Sequence, residues 1–224
     1  MKLLVLRPEP GASETAARAR AMGLRPVVAP LFEIRGVEGP PVDPGRYEAV
    51  LLTSANGARH APAGLTALPC FAVGESTAAA ARSAGFSQVS AGPFDGAAAA
   101  AAMAAAGVTK ALHLCGRDHI AIEAEGMEID RRVVYESEPL PHVRFEGPAV
   151  AMIHSARAGA RFAQLAGDRS AIAIAAISAA AAAAAGEGWA SRAAAASPRD
   201  QALLELAAKL CNHELDVARD GNGL

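Results

Sequence analysis

Val50-Leu51-Leu52-Thr53-Ser54-Ala55-Asn56-Gly57-Ala58-Arg59 passes from an apolar run through two hydroxyl residues into a stretch of small and basic residues. A short apolar run followed by Ser or Thr at the head of a helix-forming segment reads as strand, turn and helix. The same order returns as Val150-Ala151-Met152-Ile153 followed by His154-Ser155-Ala156-Arg157-Ala158-Gly159-Ala160-Arg161. Further out, Ala72-Val73-Gly74-Glu75-Ser76-Thr77-Ala78 is echoed by Ala176-Ile177-Ser178-Ala179-Ala180-Ala181-Ala182, and Ser90-Ala91-Gly92-Pro93-Phe94-Asp95 by Ala196-Ser197-Pro198-Arg199-Asp200. The intervals Ser54 to Ser155, Gly74 to Ser178 and Asp95 to Asp200 are 101, 104 and 105 positions. Near-constant spacing of this kind marks one ancestral half used twice.

The remaining pieces fit only if one half is split. Lys110–Asp118 (KALHLCGRD) resembles Lys2–Glu9 (KLLVLRPE), and Arg131-Arg132-Val133-Val134 resembles Arg25-Pro26-Val27-Val28, at intervals of 108 and 106. The expected organisation is one discontinuous domain, residues 1–33 with 139–224, and an inserted domain, residues 34–138. Two extended, proline-marked crossings, Pro30–Arg35 and Tyr135–Pro139, join them as a two-stranded hinge. Apolar runs at Leu3–Leu6, Val27–Ile34, Ala49–Leu52, Phe71–Val73, Ala111–Leu114, Arg132–Tyr135, Ile172–Ile177 and Ala193–Ala196 alternate with helical segments. Each domain is therefore expected to be α/β with a mainly parallel sheet. Leu3–Leu6 should share a sheet with Ile172–Ile177, and Ala111–Leu114 with Phe71–Val73.

Composition excludes several function classes. With 21 Lys and Arg against 23 Asp and Glu, the net charge is -2, which argues against a nucleic acid or an anionic membrane as partner. An anionic ligand would have to be held by local donors. Cys70, Cys115 and Cys211 are odd in number, widely spaced and without a CxxC pair, so neither a disulfide framework nor a metal site is expected, and a cytoplasmic home is. Met1–Leu6 is too short for the apolar core of a leader. The longest apolar run, Ala171–Ala185, falls short of the roughly 20 residues a membrane span needs. The alanine tracts Ala97–Ala102 and Ala179–Ala185 read as helices, since Ala has the highest helix propensity.

In open parallel sheets ligands bind beyond the carboxyl ends of the strands, where loops enter helices. That rule selects Thr53, Ser54 and Ala55, Gly74 and Ser76, Gly116, Ser155 and Ala156, and Ser178 and Ala179, together with Arg7 after the first strand. Facing one inter-domain cleft, such helix starts would offer N–H donors and positive dipole ends to a multiply anionic ligand. Each Ser or Thr reads equally as an N-cap that satisfies its own helix. No G-x-G-x-x-G or G-x-x-x-x-G-K-[ST] is present, so nucleotide binding lacks its usual fingerprints. His113 and Cys115 alternate on one strand face and read as core packing. His60, His119, His154 and His213 are scattered, and Asp118 with Glu123 reads as paired carboxylates or as the solvated start of a helix.

The opening MKLLVLRPEPGASETAARARAMGLRPVVAPLFEI resembles that of the uroporphyrinogen-III synthase family, and VLLTSANGAR, FAVGESTAAAARSAGF, LHLCGRD, VVYESEP and SPRDQALLELA resemble further family segments in the same order. The resemblance spans almost the whole chain. It implies two α/β domains joined by a two-stranded ladder, with the active site in the cleft. The implied activity is that of a cyclising hydro-lyase without cofactor or metal. Such an enzyme converts hydroxymethylbilane, a linear tetrapyrrole with eight carboxylates, to uroporphyrinogen III with the last ring inverted. The implied catalytic residues are Tyr135, which matches the family's tyrosine at the second crossing, and Thr77, which matches the threonine of its V-G-x-x-T segment. Tyr135 would donate its proton to the departing hydroxyl, or serve only as a hinge side chain. The chain departs from the family at Ser178, which is followed by Ala179–Ala185 where a second hydroxyl is common. A monomer with transient contact to hydroxymethylbilane synthase is implied as well. The competing reading is a two-domain small-anion binding protein without turnover.

Overall fold

The computed structural model describes residues 1–92, 95–141 and 145–220, with side chains to residue 212; Pro93 and Phe94 of the third echo lie outside the described residues. From the amino end the elements are β1 (Lys2–Val5), α1 (Gly11–Ala21), β2 (Pro26–Val28), β3 (Phe32–Gly36), β4 (Ala49–Leu52), α2 (Ala55–Arg59), β5 (Cys70–Val73), α3 (Glu75–Ser83), β6 (Val89–Gly92) and α4 (Gly96–Ala105). They continue as β7 (Lys110–Gly116), β8 (Glu128–Pro139), β9 (Ala149–Ile153), α5 (Ala156–Leu165), β10 (Ile172–Ala176), α6 (Ala179–Ala184), β11 (Ser191–Ala194) and α7 (Asp200–Asp220). The chain divides into two compact units, one of residues 1–33 with 139–224 and one of residues 34–138.

The first unit carries a five-stranded sheet in the order β11-β10-β9-β1-β2, with every neighbouring pair parallel. The second sheet runs β3-β8-β7-β4-β5-β6, parallel from β8 to β6. Apart from the added edge strand β3, the two orders are the same arrangement built twice. β1 lies in one sheet with β10, and β7 in one sheet with β5, as the paired intervals require.

β4, β9 and β10 are buried along their whole length. Helices on both faces of a parallel sheet demand such continuous apolar strands. In the first unit Leu4, Leu6, Phe162 and Ile174 pack on the α5 and α6 face, while Leu3, Val5, Ala16, Met152 and Leu203 pack on the α1 and α7 face. In the second unit Val50, Leu52, Leu65, Phe86 and Leu112 form one core, and Ala49, Leu51, Met103 and Met127 the other. The alanine tracts do lie in helices, and their small side chains bring backbones together. A Cβ on Gly159 of α5 would stand 2.7 Å from the Ala181 carbonyl oxygen of α6.

The structure corrects several element readings. Val27–Ile34 is not one strand: Pro30 has no N–H to give, and after Ala29 and Leu31 donate to the carbonyls of Val5 and Leu6 the chain leaves the first sheet and enters the second as β3. β11 begins at Ser191 rather than Ala193, pinned by the Ala190 and Ala195 N–H groups donating to Ile172 and Ala176. The apolar-run reading passes over β6, whose only large apolar residue is Val89. No helix follows β7. Residues 117–127 run irregularly to a bridge between Ala124 and Met127, where the β-branched Ile120 and Ile122 favour a helix less than the alanines of α1 do.

Candidate active site

β4 delivers the chain at Leu52 into Thr53 and Ser54. Ser54 is extended (φ -150°, ψ 150°), and its Oγ accepts the Gly57 N–H at 3.2 Å, an N-cap that stabilises α2 by about 1 kcal/mol. The same oxygen lies 2.9 Å from Tyr135 Oη. Tyr135 comes from β8 and reaches there by lying over Gly116, where a Cβ would stand 2.6 Å from Cζ and 2.9 Å from Oη. The ladder between β7 and β8 shifts register at Cys115 and Gly116, so residue 116 pairs with Tyr135 itself. A bulge next to a slot that only glycine leaves open is a device for aiming one side chain.

A second polar pair stands beside the first. Thr53 Oγ1 lies 2.9 Å from His113 Nε2. Leu51 pairs with His113 across β4 and β7, and strand side chains alternate, so Thr53 and His113 face the same side. His113 is 1 % exposed. Its loss of water, with help from the nearby His119 and Arg131, pulls its pKa down to about 4 and leaves a neutral imidazole. His119 donates from Nδ1 to the Gly116 carbonyl at 3.0 Å and accepts from the Arg131 guanidinium on Nε2 at 3.4 Å.

Thr53, Ser54, Gly116 and Tyr135 form one wall of a cavity of about 730 Å³ that lies within the second unit. This is the size of small-molecule sites. The start of α4 (Asp95, Gly96, Ala97) and the irregular segment at 118–123 supply the rest. Ile122 sits over Gly96, whose Cβ would lie 2.5 Å from Cδ1 of Ile122, and Ile120 is 87 % exposed. Asp118 and Glu123 therefore belong to a cavity wall, not to a helix start. Among the described residues the lining holds hydroxyl groups, carboxylates and no Lys or Arg.

The family model described as uroporphyrinogen-III synthase HemD matches residues 13–205. The chain belongs to the uroporphyrinogen-III synthase family. It is by that membership a lyase of tetrapyrrole biosynthesis, and binding of a small anion without turnover is not favoured. Its fold is similar to that of the uroporphyrinogen-III synthetase from Helicobacter pylori 26695, at 17% identity over 93% of this chain and 98% of that one, with a TM-score of 0.66. A mutant uroporphyrinogen III synthase from the extremely thermophilic bacterium Thermus thermophilus matches at 16% identity over 91% of this chain and 96% of that one, with a TM-score of 0.46. Among curated proteins no sequence matches the chain.

The other residues singled out in this synthase-family sequence fall at helix starts of either unit. Ala55 opens α2. Gly74 is the N-cap of α3 at φ 76°, with Ser76 exposed and Thr77 buried in its first turn; none of the three lines the cavity. In the first unit Ser155 and Ser178 cap α5 and α6 by accepting from Ala158 and Ala181 at 3.1 and 3.2 Å, and Ala156 and Ala179 are the first helical residues. The capping alternative thus describes Ser54, Ser155 and Ser178. Arg7 is held by Asp200 at 3.0 Å; Thr15, Arg18 and His154 bind the same carboxylate. His60 stacks near Tyr135 with ring centroids 6.3 Å apart, and the side chain of His213 lies outside the described residues. Asp95, His113, His119 and Ile122 were not singled out as site residues. Strand register would have found His113, since it places that ring beside Thr53.

Proposed function

We propose that the cavity of the second unit holds the reacting end of hydroxymethylbilane, with Tyr135 as the acid that assists departure of the terminal hydroxyl. The Ser54–Tyr135 hydroxyl pair on the cavity wall carries this reading. The Gly57 N–H at the start of α2 donates to Ser54 Oγ; with Ser54 O–H assigned as the donor across its 2.9 Å contact with Tyr135 Oη, the phenol proton is left for the substrate. As the C–O bond breaks, that proton joins the leaving oxygen, water departs, and the pyrrole nitrogen's electron pair generates the azafulvene cation. Asp118 and Glu123 of the lining suit pyrrole N–H groups and this positive charge. Attack by the substituted carbon of the last ring gives a spiro centre. Its fragmentation and reclosure turn that ring around, and the final ring-carbon proton returns to the phenolate.

Among the described residues the cavity lining holds no Lys or Arg, so most of the eight substrate carboxylates are assigned to donors outside it. Gly74, Ser76 and Thr77 at the start of α3 are proposed for this, and Ser155, Ala156, Ser178 and Ala179 offer donors of the same kind in the first unit. Arg7 is proposed to support Asp200 rather than to bind substrate. Closure without enzyme yields the non-inverted isomer, so the protein's task is to orient. We propose further that the chain works as a monomer in the cytoplasm and receives the bilane by transient contact with hydroxymethylbilane synthase. The bilane's unaided closure favours such delivery, three buried free cysteines suit a reducing compartment, and no helix among the described residues is long and apolar enough to cross a membrane.

The test is freshly generated hydroxymethylbilane with the product isomer determined. Tyr135→Phe keeps the ring and removes the donor, so the fold survives while turnover falls by about 10²- to 10⁴-fold and product drifts to the non-inverted isomer. Normal turnover and isomer ratio would make Tyr135 a spacer.

A further inference from the structure

Behind the cavity wall the structure contains one ring that no step above uses. His113 is not in the lining, yet its Nε2 is within hydrogen-bond distance of Thr53 Oγ1, which is. Its other nitrogen, Nδ1, is buried with no partner. A neutral imidazole carries one proton, and the surroundings decide which nitrogen holds it. A proton on Nδ1 would be a buried N–H with nothing to receive it, the costlier of the two defects; a bare Nδ1 lone pair costs less. The proton therefore belongs on Nε2, where Thr53 Oγ1 receives it.

We infer that His113 is a positioning residue: by donating from Nε2 to Thr53 Oγ1 it forces the threonine's own proton outward, making Thr53 a fixed hydrogen-bond donor to an acceptor oxygen of the bilane. This rests on the assignment of the cavity as the substrate site. Were the ring to accept instead, Thr53 would present only lone pairs to an oxygen-rich ligand. The neighbourhood keeps the ring neutral and gives Nδ1 no partner. The His119 and His113 rings stand nearly perpendicular with centroids 6.3 Å apart, and the His119 Nδ1 proton is committed to the Gly116 carbonyl. The Arg131 guanidinium on β8 opposes a positive charge on His113. Strand pairing of His113 with Leu51 fixes the ring's height relative to Thr53.

The inference is tested by nitrogen-15 NMR of the full chain at neutral pH together with steady-state kinetics on hydroxymethylbilane. His113 is expected as the Nε2–H tautomer. An Nδ1–H tautomer or an imidazolium overturns the inference without touching the site assignment. Thr53→Val and His113→Leu are each expected to raise KM about tenfold, the scale of one hydrogen bond to an acceptor, with kcat little changed. The double variant should be no worse than either single one, because both remove the same donor. His113→Gln, whose amide N–H reaches where Nε2–H stood, should restore KM. If Thr53→Val leaves KM unchanged, the site assignment falls and the inference with it. If Thr53→Val raises KM but His113→Leu does not, the cavity stands and the role of His113 is refuted.

Discussion

Gly116→Ala is the most direct perturbation of the proposed acid, because it adds one methyl group and removes no polar atom. The new Cβ would stand 2.6 Å from Cζ, 2.7 Å from Cε2 and 2.9 Å from Oη of Tyr135. Carbon atoms in contact settle at about 3.5–4.0 Å, so the ring must retreat by about 1 Å. The Ser54–Tyr135 pair is 2.9 Å apart, and a shift of that size takes it beyond the roughly 3.5 Å at which such a bond is lost. Forcing an extra methyl into a packed site costs about 1–3 kcal/mol, so the chain should fold with a lowered urea midpoint. In the bilane assay Gly116→Ala should lose turnover and inverted product as Tyr135→Phe does, although its phenol is chemically intact. Gly116→Ala combined with Tyr135→Phe should be no worse in turnover than Tyr135→Phe alone. A destabilised Gly116→Ala with normal turnover and isomer ratio would refute the reasoning, as would losses that multiply in the double variant.

Acidification should expose His113. It is held near 4 by burial, His119 and Arg131, whereas the unfolded chain binds its proton at about 6.5, so folding loses up to about 3 kcal/mol as pH falls from 6.5 to 4. His154, whose pKa burial also lowers, contributes in wild type and variant alike; urea unfolding of His113→Gln should therefore show a shallower pH dependence, and identical curves would exclude the effect. At Asp200 burial raises the pKa, but hydrogen bonds from His154 and Arg18 and the charge of Arg7 outweigh it and hold the carboxyl well below the usual range. Its contribution is present above about pH 4 and lost below, and Asp200→Ala should cost about 3 kcal/mol at neutral pH in the same unfolding measurement. Thr77→Val should lower turnover about fivefold, the scale of one hydrogen bond, while Lys209→Ala, at an exposed position, leaves it unchanged; equal effects would remove Thr77 from the proposed site.

The parallel sheets and the grouping of β1 with β10 and β7 with β5 could be read from the sequence because burial on both faces demands apolar strands, and duplication repeats their order. Helix starts were legible from Ser54, Ser155 and Ser178. The sequence offered less at 117–127, where Asp118 and Glu123 suit a helix start and only the β-branched Ile120 and Ile122 speak against one. β6 carries too few apolar residues for a pattern, and Val27–Ile34 is apolar throughout, so that only Pro30 hinted at a change of sheet. The cavity wall depends on register: whether Thr53 meets His113, or Gly116 lies under Tyr135, turns on which residues pair across β4, β7 and β8, which one strand alone does not encode.

Asp95 and Asp200 hold equivalent places in the two halves, each at the start of a helix beyond the strand ends. In one half the aspartate borders an open cavity; in the other Arg7, Thr15, Arg18 and His154 close around it. The first unit therefore carries a resident anion, tethered to its own backbone and undiluted at any concentration of competing ligand. A protein with two interchangeable strand ends would bind a linear molecule in either direction. With one strand end closed by its own carboxylate and the other open, the two halves of the repeat are no longer interchangeable.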